Sequence, residues 1–332
     1  MIQVKNLVKR YGDHKAVDDL SFMIEKGKIY GFLGPNGAGK STTMNIMTGY
    51  LAATEGEVLI DGHDILAEPE EAKKHIGYLP EIPPVYLDMT VYEYLKFVAE
   101  LKKIPKAERE TQIEDIMEMV KITDMENRLI KNLSKGYRQR VGLAQAIIGY
   151  PDIIVLDEPT VGLDPKQIIE IRELIKTLGE NHTVILSSHI LSEVSAVCDY
   201  VMIISHGKMI ASDTPENLRE MMVGSNTLEI TVKGDRGKIV SEFATIPGMD
   251  DIKYVDSEEE GCTDVTIQTP KSIDLREQIF FKMAGQNCPI LKMHNTTISL
   301  EDVFLELTEN PDMISKDLNL DKSEESIGGG AE

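Results

Sequence analysis

The sequence predicts an α/β fold followed by a smaller α+β unit, and three observations carry that expectation. The stretch Gly34-Pro35-Asn36-Gly37-Ala38-Gly39-Lys40-Ser41-Thr42 has the composition and spacing of a phosphate loop set between an apolar run and a helical one. Short, largely apolar runs at 29–33, 152–156 and 183–188 read as buried parallel strands, too brief to span a membrane and closed by turn or acidic residues. From about Leu228 the pattern changes to alternating strands interleaved with amphipathic stretches, which marks a separate unit. At 332 residues the chain exceeds the roughly 250–300 at which a single core stops growing, in keeping with two domains.

Residues 2–31 alternate apolar and polar positions (Ile2, Val4, Leu7, then Val17, Leu20, Phe22, Ile24), the period of half-buried strands, with Tyr11-Gly12-Asp13 as the turn between them. Tyr11 has few apolar neighbours in that turn, so its ring either lies against a nucleotide base or packs on the sheet. In the phosphate loop the glycines let the backbone curl until several N–H groups point at bound phosphates, and the N-terminus of the next helix adds partial positive charge there. Lys40 supplies a full charge and Ser41 a hydroxyl suited to Mg²⁺. By itself the loop implies nucleotide binding and nothing narrower.

Residues 56–62 read as a strand ending in a turn, and 75–81 as a short strand running into a loop where Pro83 and Pro84 forbid a helix. From 91 to 120 the apolar residues fall at helical spacing among many charges, a helical insert whose last helix opens at Leu133-Ser134-Lys135-Gly136-Tyr137. The run at 152–156 delivers Asp157 and Glu158 to the C-terminal end of a strand, the edge where ligands of open α/β sheets sit. Asp157 suits a ligand that holds Mg²⁺ through water, and Glu158 a group that orients or deprotonates an attacking water. Residues 161–165 form a turn before a helix over 166–178, and His189 follows the strand at 183–188, a candidate to face the γ-phosphate from the same edge.

Composition narrows the partners. With 56 acidic against 35 basic residues and a net charge of −21, the surface field repels a phosphate backbone, so nucleic acid is not expected as a partner. Cys198, Cys262 and Cys288 are widely spaced and fit no metal pattern, which points to a reducing, cytoplasmic setting. No stretch approaches the roughly 20 apolar residues of a membrane-spanning helix, which leaves room for docking beneath a membrane protein.

These motifs together resemble the nucleotide-binding subunit of an ATP-binding cassette (ABC) transporter over roughly residues 1–220. The phosphate loop (Walker A), a signature-like Leu133-Ser134-Lys135-Gly136-Tyr137, the Walker B end Leu156-Asp157-Glu158-Pro159, a Gly162-Leu163-Asp164 D-loop and the His189 switch occur in the family's order. The resemblance implies a P-loop NTPase cassette over 1–222, with a mixed central sheet, a small antiparallel β subdomain and a helical insert at about 87–148. It implies that Tyr11 is the platform for adenine, that Val17 lies beside the ribose, and that Gly34, Pro35, Asn36, Gly37, Ala38, Gly39, Lys40, Ser41 and Thr42 surround the phosphates of ATP. Glu158, His189 and Lys40 would serve catalysis, and Ser41, Asp157 and Glu81 the Mg²⁺. Members of the family work as head-to-tail dimers, so Ser134, Lys135 and Gly136 would reach the nucleotide of a second ATPase subunit, in a homodimer, with Asp164 in the D-loop between them.

Two departures stand out. Glu81 occupies the place of the family's usual glutamine, which puts a carboxylate near the triphosphate and alters the expected metal dependence. Lys135 and Tyr137 replace the usual glycine and glutamine of the signature; Lys135 either adds a cation toward the partner's nucleotide or is a solvated residue at a helix start. The runs 188–199 and 299–305 resemble stand-alone ATPase subunits of exporters (multidrug, antibiotic and gliding-type systems) that pair with separate integral membrane permeases. By that resemblance the chain works on the cytoplasmic face of the membrane; a soluble ABC ATPase with a regulatory or non-transport role is the alternative.

Beyond 226 the order is a strand at 228–232, a helix at 238–246, a hairpin of 252–255 with 265–267, a helix at 273–284, a strand at 290–293 and a closing helix at 300–307. This β-α-β-β-α-β order predicts a ferredoxin-like accessory domain over 227–308 with no catalytic constellation. The acidic tail at 309–332 lacks apolar periodicity and reads as disordered.

Overall fold

The chain opens on an antiparallel pair, β1 (Ile2–Tyr11) and β2 (His14–Ile24), closed by a turn at Gly12 whose φ of +59° suits glycine. The computed structural model describes residues 1–222, 225–249, 251–270 and 273–296. Its described residues divide into one compact unit up to Pro215 and a second from Glu216 onward. The expected alternation is present: Ile2, Val4, Leu7, Leu20 and Ile24 are all buried, while Lys5, Lys15 and Asp19 are exposed.

After β3 (Ile29–Leu33) and α1 (Lys40–Met47), β4 (Glu55–Ile60) and β5 (His63–Asp64) return to the first sheet, whose order is β2-β1-β4-β5. Then follow α2 (Pro69–Lys74), β6 (Ile76–Leu79), the helices α3 (Val91–Leu101), α4 (Lys106–Met119) and α5 (Lys135–Ile147), and β7 (Ile153–Leu156). The unit closes with α6 (Pro165–Gly179), β8 (Thr183–Ser188), α7 (Leu191–Val197) and the hairpin of β9 (Tyr200–Ser205) and β10 (Lys208–Asp213), and α8 (Pro215–Met222) follows. The central sheet has the order β10-β9-β3-β8-β7-β6, parallel except for the antiparallel edge strand β10. The three runs singled out as buried strands are β3, β7 and β8, each buried along its whole length because the parallel sheet is covered on both faces, by α5, α6 and α7 on one and by α1 with the first sheet on the other. The β9–β10 hairpin and the short α2 and α7 complete the fold without having been anticipated.

Both sheets share one apolar cluster in which Leu20, Ile24 and Ile60 of the first meet Phe32, Val155, Ile185 and Met202 of the second, with Met44 and Ile46 of α1 among them. Burying this surface contributes on the order of 25 cal/mol per Å², and it anchors β3 and α1, the two elements that the phosphate loop joins. The stretch read from the sequence as a helical insert at about 87–148 holds α3, α4 and α5. A capping box starts α3, where the Thr90 side chain accepts from Glu93 N and Glu93 accepts from Thr90 N. Arg140 in α5 is buried, donates to Val120 O at 3.0 Å and pairs with Glu170 of α6, which fastens the insert to the sheet-bearing part of the unit.

The second unit contains β11 (Ser225–Lys233), α9 (Arg236–Phe243), β12 (Asp251–Asp256), β13 (Cys262–Pro270), α10 (Arg276–Gly285) and β14 (Ile290–Thr296). Its antiparallel sheet has the order β12-β13-β11-β14, the ferredoxin-like arrangement that the sequence order predicts. Ile230, Val232, Val265 and Ile267 of the sheet pack with Ile239, Phe243, Ile279 and Met283 of the two helices. The helix expected over 238–246 starts earlier because the Asp235 side chain caps it, accepting from Lys238 N. The closing helix expected at 300–307, the run at 299–305 and the tail at 309–332 lie outside the described residues. Cys198, Cys262 and Cys288 are buried and unpaired, and among the described residues no helix is long and apolar enough to cross a membrane.

Candidate functional site: a nucleotide pocket at the sheet edge

The phosphate loop leaves β3 at Leu33 and becomes helix at Lys40. Glycine is needed at both ends of it. A Cβ on Gly34 would lie 2.3 Å from Ile204 O, and one on Gly39, whose φ is +105°, would lie 2.5 Å from Ala16 O. Lys40 is 5% exposed and folds back on its own loop, donating to Gly34 O at 2.7 Å and Pro35 O at 3.3 Å, with Glu158 Oε1 3.8 Å away. Burial lowers the Lys40 pKa, and the charges of Glu158, Asp157 and Glu81 oppose that shift. The ammonium therefore waits beside carbonyls and carboxylates that a phosphate would displace or complement.

The register of the central sheet brings the acidic side of the site to the loop. Leu33 pairs with Ser188 and Leu156 with Leu186, so the residues that follow β3, β7 and β8 emerge at one edge. Asp157 Oδ1 accepts from Ser41 Oγ at 3.1 Å and from Ser187 Oγ at 2.6 Å. Glu158 is 7% exposed and its Oε2 stands 3.0 Å from His189 Nδ1, while its amide donates to Ser187 Oγ at 2.9 Å. Ser41 and Asp157 make a hard oxygen pair of the kind Mg²⁺ takes.

The open pocket between these groups has a volume of about 480 Å³. Residues 36–42 line one side and Glu81, Glu158, Val161 and His189 the other. Tyr11 stands at the mouth, 52% exposed and lining the pocket, with Lys9 Nζ 5.3 Å from its ring centroid. Val17 does not reach the pocket. Its side chain is fully buried in the core of the first sheet, and Ala16 and His14 form the wall there instead, because alternation along β2 turns residue 17 inward.

Ser134, Lys135 and Gly136 line no part of this pocket. Ser134 caps α5 by accepting from Tyr137 N, and Gly136 faces Gln167, whose Oε1 a Cβ at 136 would approach to 2.4 Å. Lys135 lies across the D-loop turn, its Nζ occupying the space a Cβ on Gly162 would need. Asp164 caps α6, accepting from Gln167 N at 2.9 Å. Lys135 also lines a separate cleft of about 530 Å³ with Arg138 and Gln139, and Glu81 and Val161 border both spaces. Ser187, Thr160, Glu193, Ala16 and His14 were not picked out as site residues from the sequence, and none of them carries a spacing signal there.

A glycine loop on a helix N-terminus, facing paired carboxylates at the edge of a parallel sheet, defines a phosphate-loop nucleoside-triphosphatase. Comparison with known proteins makes it specific. The family described as ABC transporter matches residues 17–161. The ABC transporter ATP-binding protein YhcH of Bacillus subtilis (strain 168) is 34% identical over 93% of this chain and 96% of its own length. The linearmycin resistance ATP-binding protein LnrL of the same organism is 30% identical over 93% of this chain and 98% of its own. The solved dimeric structure of a post-hydrolysis state of the ATP-binding cassette MJ0796, bound to ADP and Pi, is 26% identical and superposes with a TM-score of 0.60 over 64% of this chain and 98% of that one. The chain belongs to the ATP-binding proteins of ABC transporters, and it is an ATP hydrolase.

Proposed function

We propose that this ATPase binds ATP with Mg²⁺ between two copies of itself and couples hydrolysis to export by a separate integral membrane permease, at the cytoplasmic face of the membrane. One observation carries the reading: a single copy presents the loop, Lys40, Glu158 and His189 in one pocket, yet keeps Ser134 and Gly136 outside it, so the pocket is half of a site. A second copy set head to tail supplies the missing half, as the dimeric form of the MJ0796 cassette supports. Tyr11 would stack on adenine. Lys40 and the loop amides would hold the β- and γ-phosphates, and Ser41 and Asp157 the Mg²⁺, with Glu81 nearby; when bound, that ion neutralises charge on the phosphate oxygens. Glu158 orients a water for attack on the γ-phosphorus and takes its proton as the bond to the β-phosphate oxygen breaks, and His189 steadies both Glu158 and the γ-phosphate.

Two observations support the coupling to a permease. The segment after β6 places Glu81 on the pocket wall while Ile82, Tyr86 and Leu87 are 82%, 54% and 47% exposed, so one short stretch joins the nucleotide to an apolar surface beside the helical insert. Export is favoured by the relative named for linearmycin resistance. We place the cassette at 1–222 and the accessory domain at 227–308. The test is Glu158→Gln with ATP: it should form a stable ATP-loaded dimer by light scattering and hydrolyse ATP on the order of 10²-fold more slowly or worse. A preparation that stays monomeric with ATP and assembles with no permease would overturn the reading.

A further inference from the structure

Glu193, on α7, is 5% exposed and makes no ion pair among the described residues, an unusual setting for a carboxylate. Two hydroxyls satisfy it. Thr160 Oγ1 donates to Glu193 Oε2 at 2.5 Å, and Ser188 Oγ donates to the same oxygen at 3.1 Å. Thr160 lies on the turn that leaves β7, two positions beyond Glu158; Ser188 ends β8 and directly precedes His189. Ser188 Oγ in turn accepts from Ile190 N at 3.0 Å, and Glu193 N donates to Ile190 O at 3.2 Å, so the first turn of α7 is folded back on the same knot. One buried oxygen therefore gathers the two loops whose side chains, Glu158 and His189, meet at 3.0 Å in the pocket. Glu193 itself lines no part of that pocket.

We propose that Glu193 is a positioning residue for ATP hydrolysis: as a shared acceptor behind the site it fixes the exits of β7 and β8 relative to each other, and so sets the distance and angle between Glu158 and His189. This rests on the reading of those two residues as the hydrolytic pair. What the position requires is an acceptor able to take two O–H donors, not a negative charge, since both donors reach the same oxygen and neither is ionised. That distinguishes it from a charge acting on the phosphates.

The test is steady-state ATPase kinetics on the full chain for Glu193→Leu, Glu193→Gln and Glu193→Leu combined with His189→Ala, with melting temperatures alongside. Glu193→Leu, which keeps bulk but removes the acceptor, should lower kcat on the order of 10- to 100-fold with KM for ATP held within about twofold, the pattern of lost transition-state geometry rather than lost binding. Glu193→Gln keeps an acceptor oxygen and should recover most of that loss. In the His189→Ala background, Glu193→Leu should cost no more than about twofold further, because its target is already gone. Where Glu193→Leu fails to fold, Thr160→Val removes one donor and should show the same fall in kcat at constant KM. The proposal is overturned if Glu193→Gln is as slow as Glu193→Leu, if KM rises in step with the fall in kcat, or if the losses in the double variant simply multiply. Wild-type turnover in His189→Ala is a different failure: it removes the pair itself, and this role for Glu193 with it.

Discussion

Alanine at position 77 puts a methyl group where the fold has no room for one. Gly77 lies in β6 opposite Ile154 of β7, and a Cβ there would stand 2.0 Å from Ala146 O, 2.9 Å from Ala146 C and 2.9 Å from Pro151 Cγ. A carbon needs roughly 3.3 Å to a carbonyl oxygen, so the last turn of α5 and the strand would have to part by about 1.3 Å. The first obstacle is backbone, which a rotamer change cannot relieve, and that turn is pinned further by Lys102 Nζ, which donates to Ala146 O at 3.2 Å and Ile148 O at 2.5 Å. Overpacking of this kind costs about 1–3 kcal/mol, and in a unit of this size each kcal/mol lowers Tm by roughly 2–4 °C. The same helix carries Ser134 and Gly136 at its other end. Gly77→Ala should therefore melt several degrees lower and lose turnover, while equilibrium binding of ATP to a pocket that takes no residue from α5 stays within about twofold. Scanning calorimetry, ATPase rates and nucleotide titration read the three quantities. Gly285→Ala, at a helix end with nothing within 4 Å, serves as control and should be neutral to about 1 kcal/mol stabilising. A Gly77→Ala chain that melts and turns over like wild type would refute the close packing of α5 on β6.

Two further outcomes follow from the site and its support. Arg140→Leu strands the carboxylate of Glu170 and the carbonyl of Val120, and should destabilise by about 3 kcal/mol in denaturant unfolding; adding Glu170→Leu should return part of that loss, and a double variant at the sum of the singles would show the pair to be independent. Glu81→Gln removes a carboxylate that helps keep Lys40 protonated against its burial, so the Lys40 pKa falls further and the alkaline limb of the kcat/KM profile moves to lower pH. The same change should raise the Mg²⁺ concentration for half-maximal ATPase rate by a few-fold, and overlapping Mg²⁺ titrations of the two proteins would remove Glu81 from the metal's surroundings.

What could be read from the sequence was what is local. The strands around the phosphate loop announce themselves because a parallel sheet covered on both faces demands unbroken apolar runs, and β3, β7 and β8 are such runs. Of the hairpin, β9 is an apolar run of the same kind that went unread, whereas β10 is an edge strand whose burial is patchy, with Lys208 and Ser212 exposed, so neither period stands out there. Val17 shows the limit from the other side. It sits in the stretch whose resemblance placed it by the ribose, yet its side chain is buried in the core and the wall is left to its neighbour Ala16. Hydroxyls such as Ser187, Ser188 and Thr160 carry no spacing signature, and their part in the site arises only when separate strand ends are brought side by side.

The turn at Glu158 shows why such cross-chain contacts matter. Consecutive residues of a strand point to opposite faces, so Asp157 and Glu158 in regular β geometry could not both serve one pocket. The backbone breaks that alternation with a φ of +49° at Glu158, a left-handed conformation that costs a non-glycine residue about 1–2 kcal/mol. Glycine would relax the turn but would remove the carboxylate that faces Lys40 and His189. The strain is held from outside the strand: Ser187 of β8 accepts from the Glu158 amide and donates to the Asp157 carboxylate, so a single hydroxyl braces both residues in their divergent orientations. Asp157 can then face Ser41 while Glu158 faces Lys40 and His189, so two adjacent residues of one turn reach different groups around the loop.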